Sequence, residues 1–320
     1  IFLAEIAKDP LRAFLDEMGM YDPLGTHLHI CEKGRHVGRS KIMQLLILGV
    51  LAGCYMGFGF TLCSLGAGQL SYEFRHDQPG AFNLLFGVIG LPLGLTLCVI
   101  NGASLFTSNV LYTTTAFANR RITIWQLLKV WVTAYSMNLA GALLFVQIII
   151  TAGSFSGSTG DFVRELGVKK TSYGFGQAVV KGILGNWLVC SSISFASAAQ
   201  DVSGVILGIF LPISAFVTCG FEHSIANMFM LPLAYRLGAD MTIENIIVDN
   251  LIPVTIGNII GGNLVSMPYW LAYVVFGREE DFVGTIHDKK NKKIAGDDKD
   301  NKRAHDNDTS AHHDQKPATT

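Results

Sequence analysis

Charged residues are scarce in this chain of 320 residues. Asp, Glu, Lys and Arg make up 15% of it, whereas an ordinary soluble domain has about 25%. Positive and negative charges nearly balance, with a net charge of −1, so a strongly basic surface is lacking and no nucleic acid is expected as a partner. Half of the residues are hydrophobic and the mean hydropathy is +0.38. These values exclude an ordinary soluble domain and indicate an integral membrane protein in contact with a lipid bilayer.

Two further absences limit the chemistry. The six cysteines include no CxxC pair and no metal-ligand spacing, and most of them lie in or beside apolar segments. We interpret them as small core hydrophobes, and we expect neither a metal site nor a cofactor. The apolar core of a cleavable signal peptide is also lacking, because residues 1–20 form a charged, amphipathic stretch.

Long apolar segments are plentiful, and six of them reach the length of about 20 residues that crosses a bilayer. We place them at residues 41–65, 81–112, 124–152, 173–198, 205–237 and 246–276. The predicted fold class is therefore an all-α integral membrane protein with six transmembrane helices at 41–276. A cytoplasmic N-terminal segment, 1–40, precedes this domain. A disordered, polar cytoplasmic tail, 277–320, follows it.

Polar residues interrupt two of these segments at mid-depth. The second segment carries the sequence NGAS at 101–104, and the fifth carries CGFEH at 219–223. Both segments are long enough for two half-helices joined by a loop, which a bilayer tolerates only where the loop is buried in protein or lines a wet cavity. A carboxylate and an imidazole inside an apolar span are costly, so Glu222 and His223 mark a functional site. The pattern indicates a transporter or channel.

Short echoes in the sequence indicate an internal repeat. The string NLAGA at 138–142 resembles NIIGG at 258–262, and Asn109 stands at nearly the same offset from Asn227. We predict repeats at about 41–152 and 173–276. Each holds three spans, an odd number, so one repeat is inverted relative to the other, and a substrate site near the bilayer midplane is expected.

Basic residues concentrate beside two of the predicted spans. They are Lys33, Arg35, Arg39 and Lys41 before the first span, and Arg120 and Arg121 between the second and third. Because cytoplasmic loops carry the excess of Lys and Arg, we predict that both termini are cytoplasmic and that the protein lies in the plasma membrane. The loops 65–79, 153–171 and 238–244 then face outward, with Lys169 and Lys170 at the outer mouth of the fourth span.

Three strings carry a resemblance to a known family. GFEHSIANMF at 220–229, LFTS at 105–108 and NLIPVTIGN at 250–258 resemble the formate-nitrite transporter family, in an order and spacing that cover about residues 39–276. The resemblance implies an aquaporin-like six-helix protomer, a homopentamer, and one substrate path through each protomer. Implied substrates are small monovalent anions or their acids: formate, acetate, lactate, pyruvate, nitrite and hydrosulfide.

The resemblance also implies roles for individual residues. His223 resembles the central pore histidine, and Thr107 resembles the hydroxyl that approaches it from the opposite half. Asn186 resembles a polar pore residue, Lys170 resembles the lysine that gathers anions at the outer vestibule, and Asn227 completes this predicted substrate pathway. Apolar constrictions are expected at Leu91, Leu95, Leu105, Phe106, Val189 and Phe216. Support of the two loops is expected from Ser104, Ser108 and Glu222.

Two residues depart from the family pattern, and several have a structural alternative. Ser104 stands where many relatives have Asp or Glu, and Leu91 occupies a position that is often Phe, so the constriction is expected to admit acids larger than formate. Alternatively, Asn186 bonds neighbouring helices, and Thr107 caps a half-helix. Lys169 and Lys170 can equally be interfacial anchors, and Glu222 is expected to face away from the pore.

Desolvation favours a proton-coupled mechanism. Moving a bare carboxylate between apolar constrictions costs several kcal/mol even after relaxation, and protonating an acid of pKa about 4 at pH 7 costs only about 4 kcal/mol. We therefore predict that small monocarboxylates cross as neutral acids, together with protons. His223 either passes a proton or stays neutral and donates a hydrogen bond.

Two alternatives from other classes stay open. One is a passive channel for an inorganic anion such as nitrite or hydrosulfide. The other is a membrane-embedded enzyme or receptor that uses Glu222 and His223 as acid and base. An enzyme is not expected, because the sequence offers no metal-ligand set and no nucleophile with an orienting partner.

Overall fold

The structure of the protein is a computed structural model, and it describes residues 19–277. Backbone contacts divide the chain into two compact units. Among the described residues, 19–270 belong to the larger unit and 271–277 to the smaller. Of the smaller unit only 271–277 is described, with a π-helical turn at Leu271–Val275. The disordered tail predicted for 277–320 and the first part of the predicted segment 1–40 thus fall almost entirely outside the described residues.

The described part of the larger unit is built from α-helices, which we number in chain order. They are α1 Pro23–Arg39, α2 Ile42–Gly68, α3 Tyr72–Asp77, α4 Pro79–Ile89, α5 Leu91–Ile100, α6 Phe106–Ala118, α7 Ile124–Thr151, α8 Ser158–Thr171, α9 Phe175–Ala198, α10 Val202–Thr218, α11 Ser224–Arg236 and α12 Ile252–Trp270. A π-helix at Asn245–Leu251 precedes α12. One isolated antiparallel bridge pairs Met20 with Ala199.

Five helical segments are long and apolar enough to cross a membrane. They are Ile42–Gly68, Pro79–Ile100, Ile124–Thr151, Phe175–Ala198 and Asn245–Val275. The segment predicted at 205–237 differs, because the chain leaves the helical conformation between α10 and α11. The apolar α10 has 17 residues and α11 has 13, so each is shorter than the length that spans a bilayer alone.

Glycines allow two pairs of long helices to approach at backbone distance. A Cβ added at Gly141 of α7 would lie 2.0 Å from the carbonyl oxygen of Val50 of α2. At Gly261 of α12 it would lie 2.2 Å from the carbonyl oxygen of Ile183 of α9. Small residues at helix contacts are typical of membrane proteins, where close backbone packing replaces hydrophobic association. The two glycines are the ones within the echoing strings NLAGA and NIIGG.

Three helices lie where the sequence analysis placed loops or a separate segment. The predicted loops 65–79 and 153–171 contain α3 and α8. Ser71 Oγ caps α3 by accepting the N–H of Phe74 at 3.2 Å, and α8 buries Phe162 and Val163. The amphipathic α1, which lies within the predicted segment 1–40, packs on α6 in the larger unit. The helical body therefore begins before residue 41, since local caps and apolar side chains order these short helices.

A break at Gly90 was also not predicted. It separates α4 from α5, and Pro92, in the first turn of α5, has no N–H to continue the helix ladder. The free N–H of Leu91 instead donates to Cys63 Sγ at 3.2 Å. A Cβ at Gly90 would lie 2.3 Å from the carbonyl oxygen of Gly59, so the break coincides with a close approach of α2.

Candidate substrate pathway

Two non-helical pieces lie inside the helical body. Residues 101–105 join α5 to α6, and 219–223 join α10 to α11. Gly102 and Gly220 adopt φ values of +70° and +65°, a conformation that glycine takes without strain. Each piece therefore ends one helix and begins another. The interruptions predicted from the sequence at 101–104 and 219–223 coincide with these pieces.

A buried asparagine of α7 holds the first piece. Asn138 Nδ2 donates to the carbonyl oxygens of Gly49 and Ser104 at 2.8 and 2.9 Å. Its Oδ1 accepts the N–H of Phe106 at 2.9 Å. Because Asn138 is fully buried, these bonds satisfy backbone groups that would otherwise be unpaired in an apolar body.

The second piece is held in the same manner from α12. Asn258 Nδ2 donates to the carbonyl oxygens of Gly182 and Glu222 at 2.8 and 3.0 Å, and its Oδ1 accepts the N–H of Ser224 at 2.8 Å. Asn258 follows Asn138 by 120 positions. Both asparagines belong to the echoing strings of the predicted repeat, but their role as braces of the two pieces was not predicted. The available signal was an asparagine repeated inside an apolar span.

The second piece ends at His223, which contacts Thr107 in the first turn of α6. His223 Nε2 lies 2.8 Å from Thr107 Oγ1, and His223 Nδ1 accepts the N–H of Ala226 at 3.1 Å. A backbone N–H can only donate, so this bond requires Nδ1 without a proton. The hydrogen of the neutral ring then lies on Nε2 and points at Thr107. Both side chains are buried.

Thr107 does not cap α6, which corrects one structural alternative from the sequence. The N-cap of α6 is Leu105, and it makes no side-chain capping bond. Thr107 lies within the first turn, and its hydroxyl contacts the ring that caps α11. The side-chain cap thus belongs to the other half-helix, where His223 was not expected as a cap because an imidazole nitrogen is an unusual N-cap acceptor.

Glu222 forms a buried ion pair. Its Oε1 accepts from Lys170 Nζ at 2.7 Å, and the two side chains are 1% and 12% exposed. Its Oε2 accepts from Asn227 Nδ2 at 2.7 Å. Asn250, which the sequence analysis missed although it begins the string NLIPVTIGN, accepts from Asn227 Nδ2 at 2.7 Å and donates to the carbonyl oxygen of Lys170 at 2.9 Å. The network ties α8, α11 and the π-helix to the second piece.

A cavity of about 620 Å³ ends at His223, and we call it the His223 cavity. Among its lining residues are Leu91, Phe216, Glu222 and Asn227, and the two carboxylate oxygens of Glu222 are bonded to Lys170 and Asn227. Its charged lining residues are Arg75, Glu165, Lys169, Lys170 and Glu222. With histidines counted as neutral, the lining of the cavity carries a net charge of +1. The ring centroid of Phe216 lies 6.0 Å from that of His223.

A second cavity, of about 550 Å³, borders the first piece, and we call it the Ser104 cavity. Leu105, Ser108 and Asn109 are among its lining residues. Asn109 Nδ2 donates to Ser104 Oγ at 2.8 Å, just as Asn227 Nδ2 donates to Glu222 Oε2 five positions earlier in the chain. The Ser104 hydroxyl thus takes the acceptor position that the Glu222 carboxylate has in the second piece. Ser108 Oγ is buried without a hydrogen-bond partner among residues 19–277.

Five of the predicted pathway and constriction residues line neither cavity, and Thr107 is one of them. Asn186 is fully buried and donates through Nδ2 to the carbonyl oxygen of Asn258 at 2.6 Å. This bond joins α9 to α12, in agreement with the alternative that Asn186 bonds neighbouring helices. Phe106 packs with its edge against Tyr135, at a centroid distance of 5.1 Å. Leu95 and Val189 are also buried. All six predicted constriction residues belong to one hydrophobic cluster.

Comparison with known proteins identifies the family. The family model described as Formate/nitrite transporter matches residues 25–271. The chain belongs to the formate/nitrite transporter family. The match begins within α1, in agreement with the packing of that helix on α6. The enzyme alternative is excluded, because the relatives of this family member are transporters and channels and not enzymes.

Sequence similarity to individual relatives extends over most of this chain. The formate channel FocA of Escherichia coli is 36% identical over 275 residues, 78% of this chain and 92% of its own length. A probable formate transporter of Methanothermobacter thermautotrophicus is 35% identical over 254 residues, 74% and 91% of the two chains. A formate-nitrite transporter of Plasmodium vivax is 30% identical over 259 residues, 78% and 82%.

Solved structures of similar proteins share the fold. A pentameric formate channel with formate bound superimposes with a TM-score of 0.64 at 32% identity, over 73% of this chain and 98% of that one. An ion channel of the same family gives a TM-score of 0.70 at 25% identity, over 77% and 98%. The protein is therefore an all-helical membrane transporter of this family.

Proposed function

We propose that this family member carries small monocarboxylates, such as formate, acetate, lactate and pyruvate, across the plasma membrane together with a proton. The observation that carries the proposal is the contact of His223 with Thr107 beside the end of the His223 cavity. A polar pair between apolar walls gives a small acid one place to form hydrogen bonds during its passage.

The protomer crosses the membrane six times in this proposal. The helix pairs α5–α6 and α10–α11 each form one broken span, and the repeats 41–152 and 173–276 are inverted relative to each other, as in aquaporin-like folds. The matching bonds of Asn138 and Asn258 to the two pieces support this arrangement. A homopentamer is proposed because a similar solved structure is described as a pentameric formate channel.

Both termini are cytoplasmic in the proposed orientation. The two basic loops lie at one end of the helical body, because Arg39 Nη2 donates to the carbonyl oxygen of Arg121 at 3.3 Å. Lys129 also donates to the carbonyl oxygen of Ser40 at 2.8 Å. Lys and Arg residues in short loops beside the spans are typical of the cytoplasmic side. The Ser104 cavity, which Lys33 lines, then opens to the cytoplasm and the His223 cavity to the outside.

The substrate enters the His223 cavity as an anion, attracted by its positive lining and by Lys170 at its inner end. Apolar side chains at Leu91 and Phe216 then face the carboxylate, and desolvation disfavours its charged form. The acid takes a proton from water in the cavity and passes Leu105 into the Ser104 cavity as a neutral molecule. Asn227 keeps Glu222 in place, and Asn186 holds the helices around Thr107.

His223 acts as a neutral hydrogen-bond donor in this pathway. Its Nε2 hydrogen is directed at Thr107 Oγ1, which lies 2.8 Å from Nε2. As the acid passes, the same N–H donates a hydrogen bond to the carbonyl oxygen of the acid. The ring is not the source of the proton, because Nδ1 is occupied by the N–H of Ala226 and a charged ring would break that bond. The proton therefore travels with the substrate, and transport is electroneutral.

Uptake of labelled formate and lactate into proteoliposomes tests the proposal, for the parent and for His223→Ala, across a series of imposed pH gradients. Uptake driven by an inward proton gradient without a change in membrane potential is expected, with a large loss in the variant. If the uptake of either acid does not depend on the pH gradient, proton coupling is contradicted and a passive anion channel is favoured. Nitrite and hydrosulfide would then be tested as substrates of that channel.

A further inference from the structure

Arg75 of α3 is a buried arginine with unused hydrogen-bond donors. The residue is 9% exposed and lines the His223 cavity. Its Nε and Nη1 have no hydrogen-bond partner within residues 19–277. The facing carboxylate is Glu165 of α8, whose Oε2 lies 3.8 Å from Arg75 Nη1, beyond hydrogen-bond distance. The guanidinium carbon lies over the ring of Phe162, 5.3 Å from the ring centroid.

Such an arrangement is unusual for an arginine that serves only to stabilise the fold. Buried polar groups are normally paired, and an unpaired charged donor is more costly than a neutral one. Phe162 compensates part of this cost through a cation–π contact but supplies no acceptor. The Nε–H and Nη1–H groups of Arg75 can each donate to a carboxylate oxygen, and such charge-assisted hydrogen bonds are stronger than neutral ones.

The other cations of the cavity are less suited to hold a carboxylate. Lys170 already donates to Glu222 at 2.7 Å, so its charge is compensated by a carboxylate that is 1% exposed. Lys169 is exposed to solvent, where attraction is screened. Glu165, in contrast, is 52% exposed, so its side chain can turn into solvent and leave Arg75 to another carboxylate.

We propose that Arg75 is the first anion-binding residue of the His223 cavity, where the carboxylate of a small monocarboxylate displaces Glu165 before the acid is protonated further in. Glu165 is a competing internal carboxylate that keeps this site weak. The inference rests on the proposed function, which supplies the anion. First capture then falls to Arg75, before the anion reaches Lys170, which also holds the Glu222 loop through its ion pair.

Two charge changes of opposite sign test the inference. Arg75→Gln removes the guanidinium, and Glu165→Gln removes its competitor. In initial-rate uptake of labelled formate, we expect Arg75→Gln to raise the half-saturating concentration about 10-fold at similar maximal rate, as for loss of a charge-assisted hydrogen bond. Glu165→Gln is expected to lower that concentration about 2-fold or more. Arg75→Lys keeps the charge and is expected to recover part of the loss.

Controls separate binding from damage to the fold. Arg121→Gln removes an exposed arginine that lines neither cavity, and it is expected to leave the half-saturating concentration unchanged. Higher ionic strength should weaken uptake at low formate in the parent and less so in Arg75→Gln. A decrease in maximal rate for both Arg75→Gln and Glu165→Gln, with unchanged half-saturation, indicates a structural role and overturns the inference.

A binding measurement distinguishes failure of the inference from failure of the proposed function. Saturation-transfer NMR with formate and the detergent-solubilised full chain reports binding without transport. A signal that is present in the parent and lost in Arg75→Gln supports the binding site, even if the parent shows no uptake. Absence of uptake in the parent would contradict only the proposed function. A signal equal in both proteins, with uptake intact, contradicts the role of Arg75 and leaves the transport proposal standing.

Discussion

Lys170 and Glu222 form an ion pair of 2.7 Å that closes one wall of the His223 cavity. The pair joins α8 to the residue before His223, and Asn227 and Asn250 complete the bonds to the carboxylate and the backbone. Because Glu222 is almost fully buried, its charge depends on these partners. The position of His223 therefore depends on a lysine 53 positions earlier in the sequence.

Removal of Lys170 is expected to destabilise the protein more than removal of Glu222. Lys170→Met leaves a buried carboxylate without its cation, a loss of about 3–5 kcal/mol, whereas in Glu222→Gln the lysine can reach the water of the cavity. The double variant should recover much of the loss, because no unpaired buried charge is left. Thermal unfolding of the detergent-solubilised protein measures this, with exposed Lys169→Met as control. A double variant no more stable than Lys170→Met contradicts the coupling.

The long helices and both interruptions were predictable from the sequence, because apolar length and mid-span glycines are local signals. The short helices α3 and α8 were not, since a six-residue helix with a serine cap and a helix with only a few buried apolar residues leave no long apolar run in the sequence. Arg75 was missed for this reason: in the sequence it is one charge in an outer loop, and only its burial beside Phe162 distinguishes it.

The central contact illustrates the same limit. Nothing in the spacing of Thr107 and His223, 116 positions apart, indicates that they touch, and the prediction came from the family resemblance alone. Asn138 and Asn258 carried a visible signal, their repetition, but their acceptors are backbone atoms of other helices. A sequence pattern does not name backbone acceptors, so their bracing role could not be predicted.

Replacement of Thr107 tests the acceptor of the His223 hydrogen bond. Thr107→Val has nearly the same volume but no hydroxyl, so Nε2 is left without an acceptor in a buried site. We expect a decrease of about 10-fold in formate uptake at low concentration, the equivalent of one lost hydrogen bond with an unpaired donor. Thr107→Ser keeps the hydroxyl and should stay within about 2-fold of the parent. Equal uptake in both variants would falsify a role for the hydroxyl.

Gly185 of α9 should tolerate no side chain. A Cβ there would lie 2.3 Å from the carbonyl oxygen of Glu222, so Gly185→Ala displaces the piece that ends at His223. Gly176 on the same helix has open space around it, and Gly176→Ala is expected to be neutral or stabilising by about 0.5–1 kcal/mol. Melting temperature and formate uptake of the two variants give the comparison. Similar values for both alanine variants contradict the close approach.

His27 of α1, which precedes the first span, should make the stability depend on pH. The residue is 4% exposed, and burial lowers the pKa of its imidazole from 6.5 to about 4. Its Nε2 lies 3.2 Å from Asn119 Nδ2, which can only donate, so the folded protein requires the neutral ring. The unfolded chain takes up a proton near pH 6.5 and the folded chain only near pH 4. Its contribution to stability is therefore complete above pH 6.5 and is lost as the pH falls from about 6.5 to 4.

The shift corresponds to about 3 kcal/mol of unfolding free energy across that interval. The melting temperature of the parent is expected to fall between pH 7 and pH 4.5, and His27→Gln should flatten this decrease, because glutamine does not titrate. His36→Gln, an exposed histidine of the same helix, serves as the matched control and should keep the parental slope. A slope that is identical in the parent and in His27→Gln would show that α1 stays packed on α6 with a charged ring, in conflict with the donor at Asn119.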